Sequence, residues 1–150
     1  MYTIEEFDEK KSKILKYIMY KKRSKQEIKN KFAGTMPEEL LEDIMAELEE
    51  NGYIDDSSYV ERAINEFIAL NNLSIKEVKY KLYNKGISSN IIDDYMYKNY
   101  EKMKEYEITS ALNIIGKKIN TLEENEIIQY LLKKGYKTDN IREAIDKMDY

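Results

Sequence analysis

Two carboxylate pairs, Asp55-Asp56 and Asp93-Asp94, have the types and spacing that could hold a metal or move protons. The chain contains no His and no Cys. Imidazole proton transfer at neutral pH, thiolate nucleophiles and zinc sites built from those ligands are therefore excluded. Each carboxylate pair also has a simpler role. Asp55-Asp56 precedes Ser57-Ser58 and an apolar stripe, where a carboxylate caps the start of a helix. Asp93-Asp94 reads as an acidic first helical turn, which the helix dipole favours. With no catalytic constellation to name, the expectation is a binding protein with no enzymatic activity, no metal and no cofactor.

Charge is the chemistry this sequence does offer. Residues 10–31 hold ten Lys or Arg against Glu27 alone, a local charge of +9 inside a chain whose total is −4. Residues 38–66 hold eleven acids against Arg62 alone, a local charge of −10. Residues 76–104 return to +3. Opposed blocks of this kind steer encounters with charged partners. They also neutralise one another when they fold side by side. Lys21, Lys22, Arg23, Lys25 and Lys29 form the basic patch with the clearest binding potential, and the basic middle helices add Lys79, Lys81 and Lys85. The fourteen Tyr could stack on exposed bases. With three Phe and no Trp, they also suit the edge of a core, with the hydroxyl in water.

The elements that must position these groups are helices. Leu41, Ile44, Met45 and Leu48 fall at i, i+3, i+4 and i+7, one face of a 3.6-residue repeat. Similar stripes run through Ile14 and Ile18; Val60, Ile64 and Phe67; Val78 and Leu82; and Ile92 and Met96. Three more follow at Ile108, Ala111 and Ile115; Ile127 and Leu131; and Ile141, Ala144 and Met148. Nine helical segments and almost no strand alternation make the chain all-α. The start signals are the capping boxes Ser24-x-x-Glu27, Ser74-x-x-Glu77 and Thr121-x-x-Glu124, and Pro37 fits a first helical turn. The stop signals are glycines followed by an apolar residue, as in Gly52-Tyr53, Gly86-Ile87 and Gly135-Tyr136. No apolar run is long enough to span a bilayer. The acidic opening Met1-Tyr2-Thr3-Ile4-Glu5-Glu6 is unlike a secretory leader, so a cytoplasmic location is expected.

The punctuation recurs. The capping boxes begin at residues 24, 74 and 121, and the closing glycines lie at 34, 86 and 135. The chain thus reads as three tandem three-helix repeats, 9–52, 56–103 and 105–149, in a single domain spanning 1–150. Units of this kind touch mainly their neighbours and build an elongated, curved helical array.

Two signatures add a family resemblance. Lys22-Arg23-Ser24-Lys25-Gln26-Glu27-Ile28 is one, and Leu48-Glu49-Glu50-Asn51-Gly52-Tyr53-Ile54-Asp55-Asp56 leading into Tyr59-Val60 is the other. With Lys85-Gly86-Ile87 and Leu131-Leu132-Lys133-Lys134-Gly135-Tyr136 downstream, the chain resembles the RecX family of RecA regulators. The resemblance implies a non-enzymatic protein that binds the RecA recombinase filament on single-stranded DNA. It further implies modulation, usually inhibition, of filament growth, strand exchange and ATP hydrolysis. Asn71-Asn72-Leu73 stands where relatives often carry a basic Lys-Gly segment, and Arg occurs only at 23, 62 and 142. Direct DNA contact is accordingly expected to be weak, and a monomer without membrane association is expected. Two other readings are open: a helical nucleic-acid-binding module, and a helical-repeat scaffold for an unrelated protein partner.

Overall fold

A computed structural model describes residues 1–148; the final residue of the third expected repeat lies outside them. Nine helices occur among the described residues: α1 (Ile4–Tyr20), α2 (Lys25–Phe32), α3 (Glu38–Glu50), α4 (Asp56–Leu70), α5 (Ile75–Asn84), α6 (Ser89–Lys98), α7 (Tyr100–Lys118), α8 (Glu124–Lys134) and α9 (Thr138–Met148).

Side-chain caps set several starts. Ser24 accepts from the Glu27 amide at 3.1 Å while the Glu27 carboxylate accepts from the Ser24 amide at 3.1 Å. Ser74 and Glu77 repeat the exchange at 3.0 Å in both directions. Asp55 caps α4 by accepting from the Ser57 and Ser58 amides at 3.0 and 3.2 Å. That assigns one aspartate of the first pair to the helix start.

Three local expectations are corrected. The box at Thr121 and Glu124 does not form: α7 runs to Lys118, and the Thr121 hydroxyl is spent on the Lys118 carbonyl at 3.2 Å. Glu123 caps α8 instead, its amide donating to Glu126 at 3.1 Å. Pro37 is the N-cap of α3 rather than a residue of its first turn. Asp93 and Asp94 lie in the body of α6, because the helix already starts at Ser89. There they face Lys79 and Lys98 at 3.6 and 3.0 Å.

The apolar stripes assemble into three cores. The first gathers Ile14, Ile18, Ile28, Ile44 and Leu48 from α1 to α3. A second gathers Val60, Ile64, Val78, Leu82 and Ile92 from α4 to α6 with Met103 and Tyr106 of α7. The third gathers Ile108, Ala111, Ile127, Leu131, Ile141 and Ala144 from α7 to α9. Helix α7 therefore serves two cores and runs straight through residues 103–105, where the sequence pattern placed a boundary. The apolar residue after a closing glycine folds inward at Ile87 and Tyr136, which are 3% and 2% exposed. After Gly52 that role falls to Ile54 at 2%, and Tyr53 stays outside at 48%.

The cores are joined by the same contacts twice. The Ser24 hydroxyl donates to the Lys85 carbonyl at 3.0 Å, and the Ser74 hydroxyl to the Lys134 carbonyl at 2.8 Å. At the next position the Lys25 amide donates to Asp56 at 2.9 Å, and the Ile75 amide to Glu107 at 2.7 Å. Gly86 and Gly135 complete each junction with φ of +81° and +99°. A Cβ on Gly86 would run into the Gln26 side chain, and one on Gly135 would lie 2.8 Å from Lys76 Cδ.

Candidate functional site

The first junction positions a cationic groove. Its walls come from the link between α1 and α2, from the outer face of α4, and from the C-terminal half of α5. In the linker Lys21 and Lys22 are exposed, while Ser24, two residues beyond Lys22, is fully buried at the junction. Helix α4 contributes Arg62, with Tyr59 and Phe67 as aromatic lining, while α5 contributes Lys81 and Lys85. The groove holds about 450 Å³ and meets five basic side chains against one acid, Glu66. Arg62 and Glu66 are themselves 3.8 Å apart on the exposed side of α4.

The eight basic residues singled out from the sequence do not all converge. Lys21, Lys22, Lys81 and Lys85 share this groove. Arg23 turns back onto α1, its guanidinium carbon 4.1 Å from the centre of the Tyr17 ring. Its Nε is buried with no hydrogen-bond partner among the described residues. Lys25 is held by Glu49 at 3.4 Å and lines a neighbouring hollow with Lys29, beside Asp55 and Asp56. Lys79 pairs with Asp93 and belongs to the second junction. Lys11 meets Glu47 of α3 at 2.8 Å, so part of the basic block is neutralised by the acidic one, as adjacency allows.

Tyr59, Arg62 and Phe67 escape a reading by charge blocks because they sit inside or beside the acidic segment. Arg62 is the single base of that segment, the one signal that could have marked it. Beneath the groove, burial pushes the Tyr59 hydroxyl up to about 12, with the neighbouring Glu27 carboxylate acting in the same direction. Burial alone would raise Glu27. The hydrogen bonds from Ser24 and Tyr59 and the charge of Lys85 outweigh it and hold the carboxyl below its ordinary range. The ammonium and guanidinium groups of this lining are chemically complementary to anions. Among the described residues no group of His, Cys, Asp and Glu is placed to hold a metal ion.

No protein-family model matches the chain. Regulatory protein RecX of Finegoldia magna is 31% identical over 148 residues, covering 91% of this chain and 70% of that protein. The chain belongs to the RecX family. Regulatory protein RecX of Lactococcus lactis is 28% identical over 153 residues, covering 97% of this chain and 57% of that protein. Against relatives of that length, the chain spans little more than half of the protein it matches. The crystal structure of a regulatory protein RecX superposes with a TM-score of 0.78 at 26% identity, over 93% of this chain and 73% of the other. RecX from Lactobacillus salivarius shares the fold, with a TM-score of 0.81 over 98% and 99% of the two chains. The all-α architecture is thus that of RecX proteins, and the two recurrent junctions are how this RecX chain joins its cores. Among the described residues no helix is long and apolar enough to cross a membrane.

Proposed function

We propose that this RecX-family chain is a non-enzymatic, cytoplasmic and monomeric regulator that binds the RecA recombinase filament on single-stranded DNA and inhibits its growth, strand exchange and ATPase. The observation that carries this reading is family membership through a relative called a regulatory protein, matched along 91% of the chain. In the same reading the chain consists of three repeats, 9–52, 56–103 and 105–149, in an elongated, curved array. Three separate cores joined by one recurring junction support that division. Such an array is able to reach adjoining protomers of a filament. The groove lined by Lys21, Lys22, Arg62, Lys81 and Lys85 is the surface that meets an acidic face of that filament. Charge complementarity there governs encounter rate and register more than total affinity.

Titration of the protein into a RecA ATPase assay on single-stranded DNA tests the reading. Falling turnover as the protein approaches the recombinase in concentration is expected. Unchanged turnover at stoichiometric excess would remove the recombinase as target.

A further inference from the structure

The second junction carries its own opening, lined differently from the first. Along α5, Lys76, Lys79, Tyr80 and Tyr83 fall at i, i+3, i+4 and i+7, so a single helix face bears two ammonium groups and two phenol rings. Across a cavity of about 580 Å³, α7 faces them with Tyr100 and Lys104, again four residues apart. Met96 and Met103 complete the apolar part of the lining. Tyr80, Tyr83 and Tyr100 are 65%, 41% and 56% exposed, so the core does not use these rings. What sets these three apart from tyrosines exposed singly elsewhere is that they line one trough together, interleaved with lysines.

We propose that this trough binds single-stranded nucleic acid, with bases stacked on the tyrosines and phosphates held by the lysines. Aromatic platforms combined with ammonium groups are what binding of unpaired strands requires, because every base has a π-face and every nucleotide a phosphate. A duplex keeps its bases stacked inside and has nothing to offer the rings. Lys79 and Lys104 face Asp93 and Glu143 at 3.6 and 3.3 Å, partly exposed pairs that a phosphate is able to replace. The one carboxylate buried below, Glu107, is already occupied by three N–H donors, and Asp139 is the acid left at the edge. The site is independent of the recombinase reading, since a nucleic-acid strand alone is its ligand.

A short fluorescein-labelled oligo(dT), titrated at low salt and followed by anisotropy with no recombinase present, tests the proposal. Binding to the parent protein is expected, and Tyr80→Ala with Tyr83→Ala should weaken it about tenfold or more. Tyr100→Ala on the facing helix should weaken it as well. Both variants should keep the parental circular dichroism, since the rings are exposed. An abasic strand of equal length should bind the parent as weakly as oligo(dT) binds the double variant. Absence of binding at low salt, parental affinity in both variants, or equal affinity for the abasic strand would each overturn the assignment. Displacement of oligo(dT) by equimolar thymidine monophosphate would make the trough a free-nucleotide site and overturn it too. The recombinase ATPase titration is unaffected by any of these outcomes, so the two readings fail separately.

Discussion

The hydroxyl of Ser24 donates to the carbonyl of Lys85, sixty-one residues away, at 3.0 Å, while the same oxygen accepts the amide of Glu27. One side chain therefore starts a helix and anchors the next core at once. Ser74 does both again, toward Glu77 and Lys134. Since the carbonyls of Lys85 and Lys134 lie at the ends of α5 and α8, they lack an intrahelical partner, and the serine of the preceding unit provides it.

Removing that hydroxyl has two consequences together. Ser74 is fully buried, so Ser74→Ala loses the cap and leaves the Lys134 carbonyl without its donor. The expected loss is about 1–3 kcal/mol. Thermal unfolding followed by circular dichroism should show a midpoint several degrees lower. A midpoint matching that of a surface substitution would show that the junction contributes nothing.

Gly52 and Gly86 permit a controlled comparison. Their φ angles are +83° and +81°, so a Cβ at either suffers the same left-handed strain. Around Gly52 that Cβ would meet nothing within 4 Å, whereas at Gly86 it collides with Gln26 of the preceding unit. Gly52→Ala should cost about 1 kcal/mol and Gly86→Ala distinctly more. Equal losses in urea titrations would mean that the close approach between α2 and the end of α5 yields freely.

Glu107 gathers three donors at the second junction. Its carboxylate is fully buried and accepts from the Ile75 amide at 2.7 Å, the Lys137 amide at 2.9 Å and Asn140 Nδ2 at 2.9 Å. Glu107→Ala should cost about 3 kcal/mol or more, because several buried donors lose their acceptor together. Glu107→Gln keeps one carbonyl oxygen and should fall between the two. Denaturant midpoints in the order parent, Gln, Ala check this, and an Ala variant as stable as the parent would refute it.

The fold was legible because periodicity and capping chemistry are local. Ser24-x-x-Glu27 and Ser74-x-x-Glu77 announce their helices without reference to anything distant. Thr121-x-x-Glu124 misled because the pattern does not say whether its hydroxyl is still needed by the preceding helix, where Lys118 claims it. Asp56 and Glu107 were opaque for another reason. Asp56 bonds the Lys25 amide thirty-one residues upstream, and an acid beside a helix start looks the same whether it caps its own helix or another. Glu107 lies in the body of α7, and all three of its partners, Ile75, Lys137 and Asn140, are distant in sequence. The groove was half legible: charge density marked Lys21, Lys22, Lys81 and Lys85, and only tertiary folding adds Tyr59, Arg62 and Phe67 to them.

Acid titration should resolve the two carboxylates of the first junction, because their shifts have opposite signs. Glu27 is held below its ordinary value of 4.5 in the folded protein, where hydrogen bonds from Ser24 and Tyr59 outweigh its burial. Its contribution to stability is present above that value and disappears as pH falls through the lowered native one. Asp56 is raised, chiefly by burial, so its contribution changes the other way and grows on acidification from neutrality. Glu27→Gln should therefore flatten the loss of stability on acidification, and Asp56→Asn should steepen it. Urea midpoints between pH 3 and 7 measure both, and parallel curves for the parent and the two variants would contradict the assignment.

The last expectation concerns function. Lys22 and Lys85 approach one groove from different cores, so reversing both charges alters the surface without touching an apolar contact. Lys25 is a poorer choice for reversal, being already engaged with Glu49 and bonded through its amide to Asp56. Lys22→Glu with Lys85→Glu places two carboxylates beside Glu66 in the groove proposed to meet an acidic face. Inhibition of the RecA ATPase should then require roughly tenfold more protein, an effect of the size seen when interfacial charges are broken. The double variant should keep parental helicity, since both side chains are exposed and the Lys85 carbonyl that receives Ser24 is unchanged. Raised salt should weaken inhibition by the parent more than by the variant, because screening acts on the attraction that the substitutions have already removed. A folded double variant that inhibits as well as the parent would exclude this groove as the contact surface while leaving the family assignment intact.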